Sequence, residues 1–151
     1  MSTTYSFKDS SGAFTHPLAG AFLFAGEIGM GQFTVAMATE KSLLDTAADG
    51  NIMISAIAGD SGHVAIECQQ TSDIHEFLLG WYNLIKTALN NGDVINWATA
   101  ALTIRNIVDG STHICTGVCP SKIPDKVYAA QGQRISWQLM CADIQSVTVS
   151  L

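Results

Sequence analysis

Charge is what this sequence has least of. Asp, Glu, Lys and Arg make up 13% of its 151 residues, about half the roughly 25% of an average soluble domain. Only seven residues are basic, spread from Lys8 to Arg134 without a cluster, and the net charge is −6. That excludes a surface built to grip nucleic acid, because such binding rests on Lys and Arg neutralising phosphates. A surface that repels a phosphate backbone and lets it slide stays open. Apolar residues reach 48%, yet no run approaches the 18 or more that a membrane helix needs. The stretch from Ala19 to Gly31 is broken by Gly20, Gly26, Glu27 and Gly29. The opening residues Met1 to Asp9 lack the basic and apolar regions of a signal peptide. The expected place is therefore the cytosol in which the chain is made, with no membrane insertion.

Chemical motifs are also scarce. Gly26-Glu27-Ile28-Gly29-Met30-Gly31 has the wrong order for a dinucleotide loop and no strand and helix to frame it. Gly59-Asp60-Ser61-Gly62 copies the tetrapeptide around a serine-protease nucleophile. The two-barrel fold behind that motif needs a longer chain, and a turn between two strands accounts for the same four residues. His113, Cys115 and Cys119 suggest a metal site. On a regular strand, however, residues 113, 115, 117 and 119 share a face and the two cysteines lie about 13 Å apart, too far for one zinc; a metal site would need a tight turn around Gly117, before Pro120. Cys68, Cys115, Cys119 and Cys141 read as free, mostly buried thiols. No catalytic residue, metal or cofactor is expected, and the absence of any catalytic constellation points to a structural role.

What is present is a series of short strands and one helix. Ile74, Phe77, Leu78, Trp81, Tyr82, Ile85 and Leu89 recur at helical spacing over Asp73 to Asn90, which predicts an amphipathic helix laid on a sheet. Ser72 or Asp73 can cap its start, Glu76 stands where a capping-box partner would reach back, and Asn91-Gly92 ends it. His75, Glu76 and Lys86 fall on its polar edge. Before the helix, Phe33, Val35 and Met37 alternate with polar or small residues, and His63 to Gln70 does the same. Ile52 to Ile57 is apolar on both faces, as in a strand covered on both sides, and Ala48-Asp49-Gly50 precedes it as a turn. A hairpin from Phe33 to Ile57 is the expected product. After the helix, Thr99 to Val108 and Ser111 to Val118 flank Asp109-Gly110, a hairpin signal. Ile135, Trp137, Leu139 and Cys141 alternate next, and Val147, Val149 and Leu151 close the chain. Gly12 to Gly31 and Pro120 to Gln133 read as long irregular excursions. The sum is seven to nine strands and one helix. The fold class is mainly β (α+β), an antiparallel β-sandwich or barrel-like domain over 1–151 with one flanking helix at about 73–90.

The ordered set Thr4-Tyr5-Ser6-Phe7-Lys8-Asp9, Ala48-Asp49-Gly50 before Ile52, Ala58-Gly59-Asp60-Ser61-Gly62, Thr71-Ser72, Tyr82-Asn83, Pro124-Asp125, Tyr128-Ala129 and Ile135-Ser136-Trp137 resembles tail tube proteins of contractile-tailed bacteriophages. The resemblance spans nearly the whole chain, and Gly12 to Gly31 and Cys115 to Cys119 match least. It implies a β-sandwich of which six copies close into a ring, with rings stacked into a tube that carries DNA during ejection. Implied partners are further copies of the chain, sheath, baseplate, tail terminator and a tape measure protein inside the tube. The implied location is the virion, after assembly in the host cytoplasm. Glu40, Asp45, Asp49, Asp60 and Glu67 are the candidate lumen-facing acids, since they lie in the hairpins before the helix. Phe33, Val35, Met37, Ile52 and Ile54, with the Gly12 to Gly31 arm, are candidates for contacts between subunits, and Ile74, Phe77, Leu78, Trp81, Tyr82 and Ile85 for helix packing on the subunit's own sheet. The alternatives are a small monomeric ligand- or carbohydrate-binding β-sandwich and the tube of a phage-derived injection device.

Overall fold

A computed structural model of the chain describes residues 4–25 and 30–148. Among these residues the elements are β1 (Ser10–His16), β2 (Gly20–Ala25), β3 (Met30–Met37), β4 (Ser42–Thr46), β5 (Ile52–Ala56), β6 (Gly62–Gln69), α1 (Asp73–Asn90), β7 (Ala100–Asn106), β8 (Ser111–Pro120), β9 (Arg134–Cys141) and β10 (Asp143–Thr148). Every ladder is antiparallel. The strand order is β2-β1-β7-β8-β9-β6-β3 with β10 also on β8, and β4-β5 form a separate two-stranded sheet.

The strand count exceeds the sequence reading because residues 12–25 are not an irregular arm. They lie in β1 and β2, which pair Phe14 with Phe22 and Gly12 with Phe24. Strand character was masked by small residues, one of which is required: a Cβ on Gly12 would sit 2.4 Å from the Phe24 ring. The part of the proposed arm at 26–29, like Val149 and Leu151, lies outside the described residues.

β8 turns one layer into two. Its Ser111–Thr116 portion pairs with β7 and β10, whereas Cys119 and Pro120 pair with β9. Between them the chain inserts an extra residue, since Cys115 and Val118 face Leu102 and Ala100, and Gly117 takes φ 64°. Such a bulge bends the strand. It also shifts the alternation, so that Cys115, Val118 and Pro120 are buried while Cys119 is half-buried. The expectation that residues 113 to 119 share one face therefore fails at Gly117. Gly117→Ala places a Cβ 2.6 Å from that of Ala142 and forces a left-handed residue, costing about 1–2 kcal/mol. Thermal unfolding followed by circular dichroism should show Tm lowered by roughly 2–8 °C; no change would mean that the bend tolerates a side chain.

The core lies between the two layers. β9 alternates as its sequence does, burying Ile135, Trp137, Leu139 and Cys141, and β6 buries Val64, Ile66 and Cys68. The β1-β7-β8 layer supplies Phe14, Leu102, Ile104 and Cys115. α1 adds Ile74, Leu78, Trp81 and Ile85, with Phe77 and Tyr82 partly buried against the same cluster. Phe77 stacks on Phe22 at 4.9 Å and Trp81 meets Phe14 edge-on at 4.8 Å. The helix boundaries coincide with the periodicity. Ser72 Oγ accepts from the His75 N–H, and Gly92 at φ 89° closes the other end, with Gly92 N–H bonding Leu89 O and Asp93 N–H bonding Ala88 O.

His75 departs from the sequence reading. It is buried rather than on the outer polar edge, and its Nδ1 accepts a 3.0 Å hydrogen bond from the Trp137 indole N–H. A core indole needs an acceptor, and a histidine beside the apolar stripe provides one. Burial, reinforced by nearby Lys126, holds the imidazole below its ordinary value of 6.5. The native state thus binds fewer protons than the unfolded chain, so stability is complete above about pH 6.5 and declines as pH falls through the depressed native value. Urea titrations at pH 7.5 and 5.5 should show this loss, and His75→Gln should flatten the slope.

Candidate assembly surfaces

β3 and β6 pair from Met30 to Met37, and their continuation leaves the body of the domain as an arm. Its root is locked by several contacts. Ser61 O accepts from the Ala38 and Thr39 N–H groups, the Thr39 and Ser61 hydroxyls bond to each other, and Lys41 Nζ reaches Gly59 O at 2.6 Å and Asp60 at 3.0 Å. The Gly59 to Gly62 tetrapeptide is therefore a joint. No histidine bonds to Ser61 among the described residues. Beyond the joint, β4 and β5 pair Leu44 with Ile54 and Asp45 with Met53, and Gly50 at φ 87° turns the tip.

Every residue of β4 and β5 is exposed. One face of this ribbon carries Leu44, Ile52 and Ile54, and the other Leu43, Asp45 and Met53. The exposures of the five apolar side chains run from 49% at Leu43 to 68% at Ile54. The sequence reading of a strand covered on both sides is corrected here: both faces carry apolar side chains, but among the described residues nothing covers either. The expected pairing of the Phe33 strand with Ile52 to Ile57 is corrected too, because β3 pairs with β6 and the arm is its own hairpin. An isolated two-stranded hairpin is marginal in water, and a clustered display of Leu, Ile and Met marks a contact surface.

The other candidates for subunit contact divide. Met37, Ile52 and Ile54 are exposed, whereas Phe33 and Val35 turn toward their own core, with Phe33 5.1 Å from Phe7 and 5.8 Å from Phe24. The cause is register: Phe33 and Val35 stand opposite the core residues Ile66 and Val64. The five acids do not form one surface. Glu40, Asp45 and Asp49 belong to the arm, and Asp60 is tied to Lys41 at its root. Glu67 lies on β6 and pairs with Arg134 at 3.1 Å. Around Glu67, the outer face of β3-β6-β9 shows cross-strand rows of Gln32, Glu67 and Ser136, then Thr34, Ala65 and Gln138, then Ala36, His63 and Met140.

Edges are the remaining feature. β2 and β3 end the sheet order, and β10 has β8 on one side, with Ile144 N–H reaching Asp60 O on the other. A cleft of about 450 Å³ beside β3 is lined by Tyr5, Phe7, Phe33, Arg105, Asp109 and His113 among others. No group of three metal-ligating side chains occurs among the described residues. The four cysteines are free. Burial raises the Cys68 and Cys119 thiols; in the Cys115–Cys141 pair the hydrogen bond between the thiols lowers Cys115 and, together with burial, raises Cys141.

A family model described as bacteriophage PhiTE tail tube protein matches residues 1–148. No curated protein matches in sequence. Among solved structures, the chain is similar to one in the cryo-EM structure of the anti-feeding prophage (AFP) baseplate, 6-fold symmetrised, with TM-score 0.63 and 13% identity over 100% of both chains. It is similar also to a chain of an extracellular contractile injection system, the PVC sheath-tube complex in the extended state, with TM-score 0.60 and 9% identity over 97% of this chain and 93% of that one. A chain of the PVC sheath/tube terminator gives TM-score 0.60 and 9% identity over 98% and 99%. At these identities the likeness is one of fold.

Proposed function

Because this chain belongs to the bacteriophage PhiTE tail tube protein family, a family of structural proteins and not of enzymes, we propose that six copies close into a ring and that rings stack into the DNA conduit of a contractile tail. The observation that carries this reading is the arm, whose two apolar faces lack a cover among the described residues. Copies of the same chain supply covers in fixed stoichiometry, and ring closure satisfies strand edges that would otherwise template open-ended aggregation. Sixfold order is supported by the symmetry of the AFP assembly that holds a chain of this fold. Sheath, baseplate and terminator partners are supported by the complexes in which such chains occur. A tape measure protein fills the lumen before DNA does, and the tube is built in the host cytoplasm as part of the virion.

Of the five acids, Glu67 is the one assigned to the lumen. The outer face of β3-β6-β9 carries mostly uncharged side chains and one ion pair. A phosphate backbone passing over it meets no excess of positive charge, which suits rapid transit. Glu40, Asp45, Asp49 and Asp60 are assigned to the arm's contacts instead. Negative-stain electron microscopy of the purified protein tests the reading: hollow tubes or rings are expected, while a uniform 16.0 kDa monomer at high concentration would fit a small binding module instead.

A further inference from the structure

An arm with two uncovered faces needs two covers, and its charges select one of them. We propose that the face bearing Leu43, Asp45 and Met53 docks on the 121–133 segment of a neighbouring copy, an assignment that rests on the tube reading above. That segment links β8 to β9 and is exposed throughout except at Pro124. Ile123, Val127 and Tyr128 are 44%, 55% and 81% exposed. Two of the chain's seven basic residues, Lys122 and Lys126, lie within it, with Asp125 as its one acid. Among the described residues neither lysine makes a salt bridge, and neither do Asp45 and Asp49 on the arm.

The two surfaces match in both respects that matter. The arm from 38 to 61 carries Glu40, Asp45, Asp49 and Asp60 against Lys41 alone. The 121–133 segment is net positive, and each surface mixes its charge with exposed apolar side chains. Other surfaces fit less well. Val94 and Ile95 are 63% and 79% exposed but sit beside Asp93, and Arg105, between a cleft it shares with Asp109 and a depression beside the exposed Leu23, offers one positive charge where 121–133 offers two. Complementary charge fixes register and excludes wrong partners, and an arm-to-segment contact is heterologous, the kind that propagates into rings or helical stacks. The second face, Leu44, Ile52 and Ile54, stays free for a further contact.

Two measurements test the docking. Zero-length carbodiimide coupling of wild-type tubes assembled from isotopically mixed subunits should yield intermolecular bonds from Asp45 or Asp49 to Lys122 or Lys126; peptide mass spectra lacking them overturn the proposal without any mutation. Separately, Asp45→Lys with Asp49→Lys, and Lys122→Glu with Lys126→Glu, should each raise the critical concentration for tube formation at least about tenfold, and the four changes together should restore it. All four positions are exposed, and far-UV circular dichroism verifies each fold. Undiminished assembly of both charge-reversed variants, or no recovery in the combined one, overturns the docking while wild-type tubes still stand. A wild-type protein that never polymerises overturns the tube reading instead.

Discussion

Leu44→Asp with Ile54→Asp is expected to abolish tube formation while leaving the folded subunit as stable as the wild type. The two side chains face each other across β4 and β5 and are 66% and 68% exposed, so neither contributes much to the stability of the isolated domain. Surface changes away from the core usually move stability by less than about 0.5 kcal/mol. In an assembled tube the same side chains are proposed to be covered, and burying a Leu or Ile is worth about 1.5–3 kcal/mol. Losing two such contacts weakens each docking event by roughly 100- to 10,000-fold, before any cost of burying the new carboxylates. Size-exclusion chromatography and electron microscopy would read the assembly, and thermal melting would read the fold. Tubes of normal length from this variant would mean that the Leu44 and Ile54 face is not covered in the tube; a collapse in Tm would mean that the arm stabilises its own subunit.

The second large effect is in the core. Trp137 is fully buried on β9 and its indole N–H is the donor to His75. Trp137→Ala should cost about 3–5 kcal/mol through the cavity alone, and it leaves the His75 acceptor without its partner. Against a total stability of about 5–15 kcal/mol for a domain, that loss should lower Tm by roughly 6–20 °C. Trp137→Phe retains much of the volume and orphans only His75, so it should cost about 1–3 kcal/mol. If the two variants melt together, the hydrogen bond and not the packing dominates at this site.

The helix shows how far local pattern reaches. Its apolar stripe, its Ser72 cap and its Asn91-Gly92 stop are all short-range features, and the observed Asp73–Asn90 helix has the bounds they imply. The same holds for β6 and β9, where alternation over eight residues matches burial residue by residue. His75 fails that logic because its burial depends on Trp137, 62 residues away. β1 and β2 fail it for another reason: Gly12, Ala13 and Ala21 have little strand preference of their own, and they pair because Phe14, Phe22 and Phe24 pack against the helix, the core and one another. The 13 Å spacing of Cys115 and Cys119 holds only for a regular strand, and the positive-φ Gly117, the position where the sequence allowed a turn, interrupts it.

Composition and order along the chain determined that this is a β-rich fold with one helix, poor in the positive charge that grips nucleic acid. They also determined that Ile52 to Ile57 is apolar on both faces, a surface that water disfavours. Which residues do the covering is a long-range matter that no window of sequence contains. Only the tertiary structure decided that Phe33 and Val35 turn inward opposite Ile66 and Val64, that Glu67 and Arg134 meet on an outer sheet face, and that the arm beyond them has no cover among the described residues. The physical reason is the same in each case: periodicity says which side chains must leave water, and only chain topology says what surface, if any, is there to receive them.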